Sequence, residues 1–427
     1  MQRRSLLQAS AALGATGLAT TLLGCASTPT PTRARVVVVG GGYGGATAAK
    51  YVRLLSEQQI DVVLIEPNPS FISCPLSNLV VGGSRSLPEL TVSYEALQRR
   101  HGVQVVRDSV TAIDAAGHKV RLASGVEIAY ERLILSPGIE LNFEAIEGLK
   151  AAHERGRVLQ AWKAGPETLA LQKQLQAMPA GGTFVISIPE APYRCPPGPY
   201  ERASVVAGWL KAHNPRAKLL IVDANPDVTS KAPLFKKVWA EDYKGIVEYR
   251  PQHKATAVDA AGRRLKFEVQ EDVVGDVLNV LPPMSAGRIA QSAGLATVNK
   301  RWAGIDYLSF ESLVAKDIHV IGDAIQVAPA MPKSGHMANN HAKVAAAAVV
   351  SRLYGWEPNP APVLSNTCYS FIDAQRVIHV ASVHEYVAAE KTFKAVAGSG
   401  GVSPGPTEQE GRYAWNWART IWADSLG

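Results

Sequence analysis

The run Arg35-Val-Val-Val-Val-Gly-Gly-Gly-Tyr-Gly-Gly45 constrains this chain more than any other stretch. Four β-branched residues in succession read as a strand buried on both faces, and the Ala-rich residues after the glycines read as a helix. Gly40, Gly42 and Gly45 keep the G-x-G-x-x-G spacing. The first permits a tight turn, the second lets the backbone approach a pyrophosphate, and the third lets helix and strand pack closely. The phosphates would sit on the helix N-terminus. A second strand, Asp61-Val-Val-Leu-Ile-Glu66, follows one helix later. It ends in an acid about twenty residues beyond Gly45, where a carboxylate accepts hydrogen bonds from a ribose. The pattern predicts a dinucleotide site; the alternative is a glycine-rich core turn without a ligand.

At 427 residues the chain is too long for one ordinary core, and two or three domains are expected. With 47% hydrophobic and 19% charged residues, the composition is that of a globular protein. The formal charge of +7 is mild, and no Lys/Arg run is interleaved with aromatics, so no nucleic-acid partner is expected. An acidic protein or an anionic substrate could still exploit the charge. Residues 1–32 read as an export segment. Arg3-Arg4-Ser-Leu-Leu-Gln8 before a moderately apolar stretch is the pattern of a twin-arginine signal, so a periplasmic location is expected. The apolar part is too short and weak for a membrane span. Leu22-Leu-Gly-Cys25 resembles a lipoprotein processing box, although Leu23 is larger than the residue usual there. A lipid tether at Cys25 and an unmodified Cys25 are both left open.

Residues 33–160 hold the first strand-loop-helix unit, a β-rich stretch from Val103 to Ile128, and Arg132-Leu-Ile-Leu-Ser-Pro-Gly138, a strand running into a turn. Residues 161–289 repeat the plan with the strands Thr183–Ile188 and Lys218–Asp223. Where a second glycine loop would hold a pyridine nucleotide, however, the chain reads Pro189-Glu-Ala-Pro-Tyr-Arg-Cys-Pro-Pro-Gly-Pro-Tyr-Glu-Arg202. Prolines lack the N–H groups that cradle phosphate, so NAD(P)H is not expected as a partner. Residues 290–356 bring a strand ending at Gly322-Asp323 and a helix over Ala338 to Leu353. Residues 357–427 form a smaller α+β piece with a Trp-rich tail. Tyr413, Trp415, Trp417 and Trp422 there fall in an expected helix, serving either as core, or as a cap over a cofactor or part of a contact with a partner protein. His336 and His341 have no companions completing a metal set, and no metal is expected.

Beyond Cys25 the chain has Cys74, Cys195 and Cys368. An oxidising compartment favours one disulfide and leaves one thiol to be explained. Cys74 lies in Phe71-Ile-Ser-Cys-Pro-Leu-Ser-Asn78 without a second cysteine nearby, and is either bonded to a cofactor or an inert buried thiol. Cys195 stands in the proline turn, at a sheet edge where ligands bind. Cys368 stands in Ser365-Asn-Thr-Cys-Tyr-Ser370. The two could form a structural staple or a reactive disulfide. Glu201 could take a proton from a thiol-like substrate, or be a surface helix acid.

The glycine loop, Cys74-Pro-Leu-Ser-Asn78, the Ala191–Arg202 run, Pro332-Lys-Ser-Gly-His336 and the Trp-rich tail together resemble the flavoprotein subunit of flavocytochrome c sulfide dehydrogenase. The Cys195 run is the most specific of these. The resemblance implies an α/β fold of two Rossmann-like domains of the glutathione-reductase type, the FAD domain discontinuous, plus a smaller C-terminal α+β domain. It implies FAD held by Gly40, Gly42, Gly45, Glu66, Ser136, Gly138, Gly322, Asp323 and Lys333 and linked covalently through Cys74. It also implies catalysis by a redox disulfide between Cys195 and Cys368, with Glu201 beside it. Hydrosulfide would attack one sulfur to give a persulfide and a thiolate. Electrons would pass to FAD and then to a c-type cytochrome subunit, because no Cys-x-x-Cys-His haem site occurs here. A sulfide:quinone oxidoreductase shares the expected fold and disulfide chemistry but would need an amphipathic membrane surface near the tail. A flavin-binding accessory protein of a sulfur-oxidising complex is the reading outside enzymes.

Overall fold

The computed structural model describes residues 33–427; the expected export segment and Cys25 lie outside them. Residues Ala34–Gly427 form one compact unit built on two parallel sheets. The first sheet runs in the order Ile318–Val320, Arg132–Leu135, Arg35–Val39, Asp61–Ile65, Gln104–Val106, with every neighbour parallel. Val36 to Val39 are at most 7% exposed, which is why this strand shows no polar alternation. Its edge strand comes from beyond residue 300, so the sheet closes only after the chain has built its second layer. Met284–Ala286 also returns, antiparallel to Ile139–Leu141.

The second sheet orders Val247–Arg250, Lys218–Asp223, Thr183–Ile188 and Val277–Val280, again all parallel. The third layer is antiparallel: Val363–Phe371 pairs along its length with Val377–Val387, which also pairs with Thr392–Ala395. The helix Glu408–Leu426 packs beside it, with Thr407 capping its start by accepting a hydrogen bond from Glu410 N.

The helix expected from Ala338 begins three residues earlier. It spans Gly335–Leu353, and the Ser334 hydroxyl accepts from Met337 N as its cap. Gly335 starts it because a Cβ there would stand 2.8 Å from the Tyr43 ring. This helix lies along Tyr43–Leu55, and the small faces of the two let them approach: Ala46, Ala49, Ala342, Ala345 and Ala346 are all fully buried.

Candidate active site

The carboxyl ends of both parallel sheets, the N-termini of several helices and the antiparallel layer enclose one cavity of about 660 Å³, within the range of cofactor clefts. The three predicted loop glycines have three separate reasons to be glycine. Gly40 has φ +94°, and a Cβ there would stand 2.3 Å from the Ser136 carbonyl oxygen. A Cβ at Gly45 would stand 1.7 Å from the Gly40 oxygen, so the helix could not pack on its strand. A Cβ at Gly42 would meet nothing within 4 Å, and this residue starts the helix Tyr43–Leu55 without a side-chain cap. Gly42 therefore opens the helix N-terminus to the cavity, while Gly40 and Gly45 only shape the turn.

Glu66 lines the cavity and also fixes the loop. Its Oε2 accepts from Gly41 N at 2.7 Å, and its Oε1 from Asn68 N at 2.8 Å. Ser136, Gly138, Gly322 and Asp323 line the same space. Asp323 Oδ1 is buried with no hydrogen-bond partner among the described residues, and burial raises its pKa. Trp162 Nε1, also in a lining residue, is a buried donor in the same position. Orphaned polar atoms facing a cavity are uncommon unless a ligand satisfies them. Together with the uncapped glycine loop they fit the phosphates and hydroxyls of FAD. Lys333 is different. Its ammonium donates to the carbonyls of Asp323 (2.9 Å) and Ile325 (2.5 Å) and lies 3.5 Å from the centre of the Trp302 ring. It is outside the cavity lining, and burial holds its pKa down to about 7.

Cys74, Cys195 and Cys368 all reach this cavity. The Cys74 sulfur accepts from Ala164 N at 3.5 Å. Cys195 sits in the left-handed region, φ 59°, fixed by Cys195 N donating to Lys333 O and Gly198 N donating to Cys195 O. Cys368 lies on the Val363–Phe371 strand, with Asn366 Nδ2 donating to its sulfur at 3.3 Å. The structure carries all three as thiols, so the disulfide implied by the resemblance is not formed in it. Burial raises both Cys195 and Cys368, and each feels the other's charge or that of Glu201.

Glu201 is no surface acid. It is 6% exposed in the first turn of the helix Gly198–His213, and its Oε1 accepts from Phe371 N at 3.2 Å. Burial pushes its pKa up to about 7. Next to it, Arg202 is 1% exposed, donating to Asn78 Oδ1, Asn279 Oδ1 and the carbonyls of Gln160 and Ala161. Arg202, Arg194 and Asn78 also line the cavity; the sequence pattern assigns them no role, although all three stand in the Ala191–Arg202 and Cys74–Asn78 segments. In the tail, Trp417 and Ala414 line the cavity, whereas Trp422 is buried and donates to the Tyr43 hydroxyl at 3.0 Å. One tail tryptophan thus borders the cavity and another belongs to the core. His336 lines the cavity, its Nδ1 3.0 Å from Thr367 N, and His341 lies against Met331.

The edge of the second sheet is filled with aromatic side chains. Tyr200 and Tyr249 both donate to Asp223 Oδ2, at 2.7 and 3.0 Å, and Tyr193 hydrogen-bonds to Thr229. Asp223, Tyr193 and Tyr200 are at most 2% exposed, so the acid at the end of this second-sheet strand is committed to internal partners.

Comparison with known proteins agrees with this geometry. The family profile "Sulfide dehydrogenase [flavocytochrome c] flavoprotein chain, central" matches residues 168–282. "Flavocytochrome c sulphide dehydrogenase, flavin-binding" matches 360–426, and "Pyridine nucleotide-disulphide oxidoreductase" matches 34–171. The sulfide dehydrogenase [flavocytochrome c] flavoprotein chain of Chlorobaculum thiosulfatiphilum is 59% identical over 46 residues, which are 94% of that sequence and 11% of this one. The chain belongs to the flavocytochrome c sulfide dehydrogenase flavoprotein family. Its flavin-binding match covers the layer carrying Cys368 and Trp417. The mitochondrial sulfide:quinone oxidoreductase of Dictyostelium discoideum is 24% identical over 299 residues, 68% of this chain and 65% of that protein. The match thus spans just under two thirds of that relative. The sulfide:quinone oxidoreductase structure from Aquifex aeolicus superposes with a TM-score of 0.76 at 19% identity, over 92% of this chain and 91% of that one. Members of the family and these quinone-linked proteins therefore share one fold.

Proposed function

We propose that this protein is a sulfide dehydrogenase that oxidises hydrosulfide to sulfur or polysulfide through a Cys195–Cys368 disulfide and FAD, and delivers the electrons to a c-type cytochrome. The observation that carries this reading is that one cavity joins the glycine loop, Cys74, both cysteines and a buried carboxyl titrating near neutrality. When bound, FAD supplies a two-electron acceptor that can release electrons singly. The rest is done by the chain's own residues. Hydrosulfide attacks one sulfur of the disulfide, leaving a persulfide on that cysteine and a thiolate on the other. Glu201, with a pKa of about 7, takes the proton of an incoming neutral hydrogen sulfide. The Arg202 guanidinium, buried at the same wall, offsets the negative charge drawn into a dry site. That Cys74 lines the same cavity supports a covalent bond from its sulfur to the cofactor.

The aromatic filling around Asp223 supports sulfide over NAD(P)H as the electron source. The tail helix supports a cytochrome over a quinone. Its apolar residues Ala414, Ala418, Ile421 and Leu426 are buried inward, while Gln409, Arg412, Asn416 and Arg419 are exposed. Among the described residues no helix is long and apolar enough to cross a membrane. The export pattern supports a periplasmic site of action, with Cys25 available for a lipid tether. The 24% identity to the Dictyostelium quinone-linked protein favours the second reading, a quinone acceptor.

An anaerobic titration of the holoprotein tests the proposal. Sulfide is expected to bleach the flavin and NADH is not, the yellow colour is expected to stay with acid-precipitated protein, and cytochrome c is expected to restore it faster than a short-chain quinone. Bleaching by NADH alone would refute the reading, and bleaching by neither donor would favour an accessory protein. Faster reoxidation by quinone would replace the cytochrome.

A further inference from the structure

Lys231 has no part in the chemistry described so far, yet it is built into the site. It is 7% exposed and has φ 56°, in the left-handed region that few non-glycine residues adopt. Its ammonium donates to the Cys368 carbonyl at 2.9 Å and to the Ser370 hydroxyl at 2.8 Å. Both partners are neutral, and burying an ammonium without a counter-charge is costly. The anionic groups whose charge reaches it are Cys368, Glu201, Cys195 and Glu410, in that order.

The two sulfurs are not surrounded alike. Cys368 has Lys231 on its own backbone and the Asn366 amide on its sulfur. Asn366 is itself fixed by the Ser334 hydroxyl at 2.7 Å. Cys195 lies against the start of the helix Gly198–His213, and a helix N-terminus alone would favour a thiolate there. That advantage is removed locally. Pro197 and Pro199 have no N–H, the Gly198 N–H is already donated to the Cys195 carbonyl, and the Glu201 carboxyl occupies the same turn. After burial, the charges acting on Cys195 are led by Cys368 and Glu201, both of which disfavour its thiolate. For Cys368 they are led by Lys231, which favours it.

We propose that Lys231 is a positioning residue that gathers the negative charge of the reduced pair onto Cys368, making Cys368 the leaving sulfur and Cys195 the sulfur that hydrosulfide attacks. This rests on the sulfide reading above. In the step, the bond from hydrosulfide to Cys195 Sγ forms and the Cys195–Cys368 bond breaks. The electron pair of the broken bond goes to Cys368 Sγ, so the incoming sulfur is oxidised as Cys368 is reduced. The proton stays on the terminal persulfide sulfur.

The test mixes oxidised, FAD-loaded protein anaerobically with equimolar hydrosulfide, quenches in denaturing iodoacetamide, and locates the extra sulfur by peptide mass spectrometry. Wild type is expected to carry it on Cys195 at least about tenfold over Cys368. Lys231→Gln should cut that preference about tenfold, the equivalent of one pKa unit. Lys231→Arg, which keeps the charge, should retain most of it, and a merely structural lysine would not show that rescue. Asn366→Ala should move the ratio in the same direction as Lys231→Gln, which keeps the inference testable should the lysine variant not fold. Extra sulfur chiefly on Cys368 in wild type, or an unchanged ratio in Lys231→Gln, overturns the assignment. No persulfide on either cysteine and no flavin bleaching would instead refute the sulfide reading itself, and this inference with it.

Discussion

Glu201 offers the most searching perturbation, because the same burial that suits it to accept a proton also costs stability. Its carboxyl is 6% exposed and raised from 4.5 to about 7. At 1.36 kcal/mol per pKa unit, ionising it in the folded protein rather than in the unfolded chain costs about 3 kcal/mol. The sign follows from the raised value. Below about pH 4.5 the group is protonated in both states and costs nothing. As pH rises through 7 the unfolded chain is already ionised, and the native state is penalised by the full amount. Glu201→Gln keeps an oxygen for Phe371 N and removes the charge. Relative to wild type, the variant should therefore gain up to about 3 kcal/mol between pH ~5 and pH ~8. At roughly 1 °C per kcal/mol in a chain of this size, its melting temperature should rise relative to wild type by about 3 °C at the higher pH only. Flavin fluorescence during heating reads this directly. In stopped-flow bleaching by sulfide, wild type should lose rate about tenfold per pH unit below about 7, beyond the limb set by ionisation of sulfide itself. The variant should be slow throughout and keep only the substrate limb. Identical pH profiles and identical melting shifts in the two proteins would refute both the burial cost and the proton-accepting role.

Gly45→Ala should abolish FAD retention, since its new methyl would stand 1.7 Å from a carbonyl oxygen; the flavin-to-protein absorbance ratio measures it. In Cys74→Ser the flavin should become extractable by acid while remaining bound in the native protein. Arg202→Lys keeps the charge but cannot serve Asn78, Asn279 and two carbonyls together. It should lose about 2–4 kcal/mol of stability, read as a lowered denaturation midpoint, because buried acceptors are left without donors.

Those residues differ in how openly the sequence announced them. The glycine loop and Glu66 were legible because local constraints, a positive φ and a close backbone approach, dictate residue type at fixed spacing. Glu201 could be named as a candidate but not placed: in the linear pattern it sits at a helix start, where acids are common on surfaces. Only the strand ending at Phe371, 170 positions away, buries it. Arg202 and Lys231 were invisible for the same reason, since no periodicity marks a charged residue whose partners are backbone carbonyls of distant segments. Lys333 was drawn into the cofactor set by its neighbours in sequence, whereas its long side chain turns away to Trp302. The tail tryptophans could be assigned to a helix, but which faced the cavity depended on the layer beneath.

The docking of the last helix on the first also sets an order of events. Thr47, on the glycine-loop helix, is hydrogen-bonded to Ser425, 378 positions along the chain, and Lys50 donates to the Ala423 carbonyl. Contacts this remote close late, after most of the loop entropy has been paid. A nascent chain would therefore expose the glycine-loop helix long before the helix that packs on it exists. The helix that carries the glycine loop is thus locked in place only when the last residues of the chain have docked on it.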